Sequence, residues 1–518
     1  MGRSGTRCPS TPLGRRFMTK NRLLRSLPAA ALLGTLFLSG CSGVPGQAEA
    51  SEPSGVLRVN WGGLPENWAP GHQTEAGYIR VPYETLTSRN RDGAVVPMLA
   101  TEWEQSDTEL TLTLREGVTF HDGEPLTADA VKANLEAIQA APLGGPLLGV
   151  SAIDAVDELT VRLTLSAPNS SLLTTLSTVI APIVSPASLE DGSIAEVPVG
   201  TGPWAYDAEA SVPGKKMSFT VFDDYWGASV GYETIELVGL GDDAAAAALI
   251  AGTLDVSDAE PEMLTRFADT PVRTMQYPAS RTSLMFFDRG PGGVFESREL
   301  RQAVCHAINV DAVNELEGAG TSATQYFTEG TAGHFDAPGY AHDEAAAKKL
   351  YQQAGSPELS ARLVASTDNN AQVSLYMDQV AQALSGVRAT VYELPPVKYN
   401  ASWNTGDYGL GVGMSTSLTP YDWYRTWFAA DAPGNPAGVE SEALREAADL
   451  ATNAGISDKA DALWSDAMEI VSDEALSCAH RVESEILAWN STTVTSVSNP
   501  VEPWEPNSIN YRSLKPLG

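Results

Sequence analysis

Strand-like and helix-like patterns alternate along this chain, and that alternation limits its fold more than any other feature. Residues 160–165 alternate apolar and polar side chains as a half-buried strand does, whereas residues 297–308 carry apolar side chains at helical spacing. Such alternation is typical of α/β proteins, in which helices cover a sheet. At 518 residues the chain is too long for one ordinary core, so we predict an α/β protein with two or three lobes.

The same patterns predict individual elements throughout the chain. Predicted strands lie at 55–61, 110–114, 219–222, 234–238, 283–287, 363–365 and 389–392. Predicted helices lie at 130–140, 242–251, 344–354, 373–384, 440–451 and 459–471.

The first 40 residues have the composition of a secretory leader. Seven of them are basic and none is acidic, and the apolar stretch 27–38 is too short to span a bilayer comfortably. The stretch ends in Leu38-Ser39-Gly40-Cys41, which resembles a bacterial lipobox. That resemblance implies cleavage before Cys41 and a diacylglycerol group on its sulfur.

We therefore predict a signal peptide at 1–40, with Met18 as an alternative start, and a flexible tether at 41–55. The competing interpretation is an ordinary buried N-terminal helix. Residues 42–54 are rich in Gly, Pro, Ser and Ala, which favours the tether.

The charge balance is strongly acidic. The whole chain has a net charge of −32, and without the seven basic residues of the leader 26 basic residues face 65 acidic ones, a net charge of −39. Such a surface repels phosphates, so nucleic acid is not expected as a partner, and a cationic ligand is favoured at long range. A surface tuned only for solubility in salty surroundings would explain the same charge.

Four cysteines are present. Cys8 lies in the predicted leader and Cys41 is the predicted lipid site, which leaves Cys305 and Cys478. In an oxidising compartment these two would be able to pair, but isolated thiols are more often separate buried apolar side chains, and both alternatives stay open. The sequence has no CxxC pair and no Cys/His cluster, so we expect neither a metal site nor a cofactor.

A series of short motifs in fixed order resembles one known family. The most specific is LREGVTFHDGEPLTADAV at 114–131, in which His121 and Asp122 are expected to be framework residues. The others are PMLATEW at 97–103, VGTGPW at 199–204, DYWG at 224–227, GTLD at 252–255, LRQAV at 300–304 and AKKL at 347–350. From about residue 55 to about residue 430, the chain resembles the extracellular solute-binding proteins of family 5, which serve peptide and nickel ABC importers.

The resemblance implies a periplasmic-binding-protein-like fold of type II, cluster C. In this α/β "Venus flytrap" two lobes are hinged by crossing strands, and an extra subdomain is attached. On that basis we expect lobe I at 56–85, 195–276 and 490–518, the extra subdomain at 86–194, and lobe II at 277–489.

The implied function is that of a monomeric binding protein held by its lipid on the extracytoplasmic face of the cell membrane. It would capture di- or oligopeptides and deliver them to an ABC permease and its ATPase. Receptors of the same fold for oligosaccharides, glycosides or nickel complexes are the alternative. A sensor or adhesion lipoprotein that has lost transport is another.

Residues 407–422 correspond to the segment with which the family reads its ligand. Dipeptide receptors of the family carry W-x-G-D-x-G-D-P-D there, and its first Asp binds the α-amino group of the peptide. Here Met414 replaces the Trp, Ser417 replaces that Asp, and only the final Asp is kept, as Asp422. This departure weakens the dipeptide interpretation and leaves open longer peptides held by backbone pairing, or a neutral polyhydroxy ligand.

Further candidate ligand contacts are aromatic or cationic. Trp61, Trp403, Tyr421 and Trp423 would form a stacking floor or line side-chain pockets, although each would equally fit a lobe core. Arg281 would meet a ligand carboxylate through two hydrogen bonds, or else form an ordinary surface ion pair.

Two motifs look like catalytic or cofactor signatures. Residues 227–231, GASVG, match the nucleophile elbow GxSxG, but strand-like residues follow where a hydrolase needs a helix. Residues 239–244, GLGDDA, match GxGxxA, but Asp242 and Asp243 would repel a pyrophosphate. A secreted serine hydrolase acting through Ser229 is therefore a distant alternative, and we expect a protein that is not an enzyme.

Overall fold

The structure is a computed structural model that describes residues 54–60, 64–65, 67–71, 78–90, 94–141, 147, 149–293, 295–327, 331–337, 339–366, 370–395, 398, 409–494 and 510–517. Its strands are β1 Val56–Asn60, β2 Glu84–Thr85, β3 Thr87–Arg89, β4 Val95–Pro97, β5 Ala100–Gln105, β6 Glu109–Leu114, β7 Val150–Asp157, β8 Thr160–Leu165, β9 Pro182–Ile183, β10 Trp204–Val212, β11 Lys216–Val221, β12 Thr234–Val238, β13 Val256–Asp258, β14 Val272–Phe287, β15 Thr321–Ala323, β16 Leu359–Ser366, β17 Val387–Leu394, β18 Leu410–Ser415 and β19 Ser477–Asn490. Its helices are α1 Ala128–Ala140, α2 Leu172–Thr175, α3 Pro186–Glu190, α4 Asp242–Ala251, α5 Leu264–Phe267, α6 Arg298–Ala307, α7 Val310–Glu317, α8 Glu344–Gln353, α9 Asn370–Ala383, α10 Pro420–Trp427, α11 Glu442–Asn453 and α12 Asp458–Asp473.

Local sequence signals explain where several helices begin and end. The side chain of Thr127 accepts a hydrogen bond from the backbone of Ala130 and so caps α1. Helix α4 has the predicted bounds, with two aspartates in its first turn and Gly252 at its end, where φ is 71°.

Eleven of the described strands form one sheet with the order β10-β11-β12-β1-β13-β19-β14-β18-β16-β17, and β15 pairs with β19. Strands β14 and β19 have 16 and 14 residues and pair with each other. On one side β19 pairs with β13, and on the other β14 pairs with β18. Two crossing strands therefore connect the two halves of the sheet, as the resemblance implies for two hinged lobes.

Separate hydrophobic cores accompany the two halves. The first packs around β1 and β12, with Leu57, Trp204 and Ile235 fully buried. The second packs around β16 and β18, with Leu363 and Val412 fully buried. We call these halves lobe I and lobe II.

A smaller sheet has its own core. Strands β5, β6, β8 and β7 form it in that order, and α1 packs against it. Leu112, Leu135 and Val161 are fully buried there. These elements lie inside the range predicted for the extra subdomain.

Cys305 of α6 and Cys478 of β19 form a disulfide, which corrects the preference for two separate thiols. Both residues are buried, at 2% and 0% exposure, so their burial does agree with the sequence prediction. The bond joins residues 173 positions apart and ties α6 to a crossing strand. Disulfides that close long loops typically stabilise a fold by about 2–4 kcal/mol.

His121 is a framework residue, as predicted. Its Nδ1 accepts from the backbone nitrogen of Gly200 at 3.2 Å, so Nε2 carries the hydrogen and donates to the Gly202 carbonyl at 2.9 Å. Burial lowers the pKa of His121 to about 4, which keeps the ring neutral. The neighbouring Asp122 accepts a hydrogen bond from the Ser185 hydroxyl. His121 thus binds the lobe I segment 199–204, and Asp122 binds Ser185 inside the range predicted for the extra subdomain.

Candidate ligand-binding site

The strand register defines where the two lobes face each other. Strand β13 of lobe I ends at Asp258, which lies beside Leu487 of β19 and, beyond it, Met275 of β14. Strand β18 of lobe II ends at Ser415, which lies beside Thr282 of β14. The carboxyl ends of strands from both lobes therefore point toward the middle of the crossing strands.

We call the space at this meeting point the central cleft. Its floor consists of residues 276–281 of β14 and 483–486 of β19, which lie between the two strand ends. In lobe I β1 is parallel to β12 and β13, and in lobe II β16 is parallel to β17 and β18. Open α/β sheets bind ligands outside the carboxyl ends of such strands. The central cleft is therefore the candidate ligand-binding site.

An ion-pair network lies on the cleft floor. The Tyr277 hydroxyl donates to Glu485 Oε2 at 2.9 Å, and Arg281 Nη2 contacts Glu485 Oε1 at 3.1 Å. The side chain of Glu485 is 9% exposed and that of Arg281 is 33% exposed. Arg281, a sequence-predicted ligand contact, thus lies at the cleft and already has a carboxylate partner.

The lobe I wall of the cleft is acidic. The Asp258 side chain accepts from the Ser257 hydroxyl at 3.2 Å. The residue is exposed, yet the protein around its carboxyl, together with the charge of Glu260, raises its pKa to about 6. Asp258 is thus one acidic group at the lobe I side of the cleft.

Glu260 faces the same space. Burial raises the pKa of Glu260. The Arg281 guanidinium lowers this pKa and the Glu485 carboxylate raises it, so charges on the crossing strands act on a carboxyl group of lobe I. Two carboxylates therefore act on the Arg281 guanidinium, Glu485 through an ion pair and Glu260 through its charge, and Asp258 acts on Glu260's side of the cleft. None of the three was predicted from the sequence, although Asp258 ends β13 and Glu260 lies two residues beyond it.

The lobe II wall presents one large apolar side chain. Met414 is 56% exposed, whereas residues 410–413 and Ser415 of the same strand are buried. Because Met414 is the penultimate residue of β18, its exposed side chain lies at the strand end that borders the cleft. The role of Met414 as a ligand contact stays a prediction.

Ser417 and Asp422, two further predicted contacts, lie close to each other. Burial raises the pKa of Asp422, while the neighbouring side chains of Ser417 and Thr426 and the backbone of Leu418 lower it. Thr419 caps α10 by accepting from the backbone nitrogen of Asp422 at 3.1 Å. Both residues thus belong to the loop before α10, and their roles as ligand contacts stay predictions.

Trp423 belongs to the lobe II core. It is 2% exposed. Its ring stacks on that of Tyr326 with the ring centroids 4.4 Å apart, and it meets the Phe428 ring edge-on with the centroids 4.9 Å apart. The indole is therefore a core side chain of lobe II, and its role as a direct ligand contact stays a prediction. Tyr421 is half-buried, and its ring meets that of Trp464 edge-on with the ring centroids 6.0 Å apart.

Three other predicted residues lie outside the described residues: Trp61, Trp403 and the lipidation residue Cys41. The predicted signal peptide at 1–40 lies there as well. These predictions stay predictions.

The GxSxG match at 227–231 and the GxGxxA match at 239–244 lack the surroundings that a catalytic serine or a bound dinucleotide needs. Ser229 is exposed on an irregular segment, and the next element is strand β12 where a nucleophile elbow needs a helix. Helix α4 begins with its own aspartates, and Asp243 pairs with Arg266 at 2.5 Å.

The described residues contain no group of three or more His, Cys, Asp or Glu side chains placed to hold a metal ion. None of their helices has the length and apolarity that a membrane span requires.

Comparison with known protein families decides the identity of the fold. Residues 94–436 match the bacterial extracellular solute-binding proteins, family 5 (middle). The chain belongs to this family. The family 5 fold is the α/β, two-lobed type II fold with an extra subdomain that the sequence predicts. Family 5 is a family of solute-binding proteins rather than of enzymes.

Individual relatives resemble most of this family 5 protein. The probable D,D-dipeptide-binding periplasmic protein DdpA of Escherichia coli K12 is 26% identical over 420 residues, which cover 75% of this chain and 80% of the relative. The glutathione-binding protein GsiB of Pectobacterium atrosepticum is 27% identical over 396 residues, 68% of this chain and 73% of the relative. The structure of NikA from Brucella suis in complex with Fe(III)-EDTA has 23% identity and a TM-score of 0.75, and it covers 90% of this chain and 100% of NikA.

Proposed function

We propose that this protein is the peptide-binding lipoprotein of an ABC importer. It captures di- or oligopeptides outside the membrane as a monomer and delivers them to the permease and its ATPase. The observation that carries the proposal is the central cleft, where the carboxyl ends of strands from two lobes face the crossing strands, Arg281 pairs with Glu485, and the charge of Arg281 acts on Glu260.

The charges of the cleft suit a zwitterionic ligand. The carboxylates of Asp258 and Glu260 attract the amino group of a peptide, and the guanidinium of Arg281 attracts its carboxylate. Met414 offers an apolar contact for a side chain. The two relatives whose names specify a dipeptide and glutathione support this ligand class.

The predicted lobe boundaries are part of the proposal. The boundary at 276/277 falls within β14, and the boundary at 489/490 falls within β19. Both boundaries thus lie on the crossing strands. The four-stranded sheet with α1 supports a separate subdomain at 86–194.

A thermal-shift screen tests the ligand class. The mature protein is heated with a peptide library, with oligosaccharides, and with nickel in the presence and absence of a chelator. A peptide at about 100 times its Kd stabilises the folded state by about 2.7 kcal/mol, so the melting temperature rises. N-acetylated and C-amidated versions of the same peptide are the matched controls, and we expect a smaller rise with each. A rise with sugars or nickel alone would reject peptides and keep the receptor function.

Metabolic labelling with a radioactive fatty acid tests the anchor. We expect label on the wild-type protein and recovery of the protein with membranes, because an acyl chain partitions into the bilayer. Cys41→Ala should carry no label and be released, whereas Cys8→Ala should be labelled like the wild type. A labelled Cys41→Ala protein would contradict the predicted lipidation site.

A further inference from the structure

Tyr326 lies behind the loop that follows β18. We call residues 416–419 the cleft loop. The Tyr326 hydroxyl is 3.0 Å from the hydroxyl of Ser415 and 3.0 Å from the backbone carbonyl of Ser417. Trp427 Nε1 lies 3.1 Å from the same Ser415 hydroxyl. Tyr326 therefore touches both the end of the strand and the cleft loop itself.

The hydrogens of this group can be assigned in one consistent way. The Ser417 carbonyl can only accept, so the single hydrogen of Tyr326 goes to it. The Ser415 hydroxyl then donates to Tyr326, and Trp427 Nε1, which can only donate, donates to Ser415. The result is a chain of three hydrogen bonds that ends on the backbone of the cleft loop. Each bond in such a chain strengthens the next one.

Tyr326 is itself held from two sides. Its ring stacks on Trp423 with 16° between the planes. It follows β15 by three residues, and β15 pairs with the crossing strand β19. The position of the hydroxyl is thus set by the lobe II core and by the crossing strands together.

We propose that Tyr326 is a positioning residue for ligand binding, which holds the backbone of the cleft loop in the conformation that receives the ligand. This inference rests on the proposed function. The side chains of Ser417 and Asp422 lie close to each other, so the cleft loop has its main chain to offer a ligand. A loop that binds through its main chain depends on backbone placement, and Tyr326 sets that placement.

The test compares Tyr326→Phe with Tyr340→Phe. Each substitution removes one hydroxyl and keeps the ring. Tyr340 is half-buried in the same lobe and donates to the Ser472 carbonyl at 2.7 Å, away from the cleft loop. Both variants should therefore lose similar stability, and they should differ only in what happens at the cleft loop.

Hydrogen exchange of the ligand-free protein gives the first readout. The backbone nitrogen of Ser417 donates to the Ser415 hydroxyl at 3.4 Å, so this amide of the cleft loop is protected in the wild type. We expect exchange of a fragment covering 415–419 to be about tenfold faster in Tyr326→Phe, which corresponds to the loss of one hydrogen bond. Exchange there should be unchanged in Tyr340→Phe.

Titration with trialanine and trilysine gives the second readout. We expect the Kd of a peptide that binds the wild type to rise about tenfold in Tyr326→Phe and to stay within about twofold in Tyr340→Phe. Equal exchange rates in the two variants would overturn the proposal, and so would faster exchange with an unchanged Kd. If the wild type binds neither peptide, the proposed ligand class fails. The exchange experiment then decides by itself whether Tyr326 positions the loop.

Discussion

Replacing Glu84 by alanine is expected to lower the free energy of unfolding by about 3–5 kcal/mol, because it breaks a buried ion pair and leaves its partners unpaired. Glu84 is 0% exposed. Its carboxylate accepts from Thr201 at 2.9 Å, Tyr225 at 3.0 Å and Trp226 at 2.6 Å, and it pairs with Arg512 at 2.9 Å. The alanine variant retains all four donors and offers them no acceptor.

Urea unfolding of Glu84→Ala and two further variants checks this expectation. Glu84→Gln keeps one acceptor and nearly the same shape, so it should lower the free energy of unfolding less than Glu84→Ala does. Asp431→Ala removes a carboxylate that pairs with Arg425 at 2.9 Å but is 72% exposed, and it should cost less than about 1 kcal/mol. Similar losses for Glu84→Ala and Asp431→Ala would show that the buried network adds nothing to stability.

The Glu84 network also shows what motifs reveal and what they leave out. Thr201 lies in the VGTGPW motif, and Tyr225 and Trp226 lie in the DYWG motif, so the sequence identifies these residues as family landmarks. Their common partner Glu84 is more than 100 positions away from each of them and lies in none of the motifs. The sequence therefore predicts the landmarks, and the fold alone shows the carboxylate that they bind.

Elements with local signals were predictable. Helix α4 and strands β8 and β12 have the bounds that hydrophobic periodicity predicts, because period and capping are properties of neighbouring residues. The crossing strand β19 was missed, since Arg481, Glu483 and Glu485 interrupt its apolar pattern. These charges find distant partners: Arg481, whose side chain is 3% exposed, pairs with Glu317 at 2.6 Å, and Glu485 pairs with Arg281 at 3.1 Å.

Part of the candidate site has a signal in the sequence. The resemblance to family 5 implies Met414, which lies exposed at the end of β18. It also implies Ser417 and Asp422, which lie close to each other at the start of α10. A local signal for that helix start was present, since Thr419 and Asp422 have the spacing of an N-cap residue and its third helical residue. The acidic wall required knowledge of how strands from two lobes meet, which no local pattern contains.

Trp423→Ala is expected to lower the free energy of unfolding by about 3–5 kcal/mol, because it removes a large side chain from a close-packed core. The indole is 2% exposed and lies between Tyr326 and Phe428, with ring centroids at 4.4 Å and 4.9 Å. Since Tyr326 rests on this ring, the cleft loop should loosen as well, and ligand binding should weaken as a secondary effect.

Trp423→Phe separates packing from polar contacts. Trp423 Nε1 is buried and has no hydrogen-bond partner among the described residues, so phenylalanine removes an unsatisfied donor and part of the volume. Trp423→Phe should therefore lower the free energy of unfolding much less than Trp423→Ala does, and it should largely keep the ligand affinity. If Trp423→Ala unfolds at the wild-type urea concentration and yet binds peptide weakly, the indole contacts the ligand, as the sequence predicts. Because a residue that carries the core cannot be removed without a stability cost, urea unfolding and peptide titration of the same variant together decide which role Trp423 has.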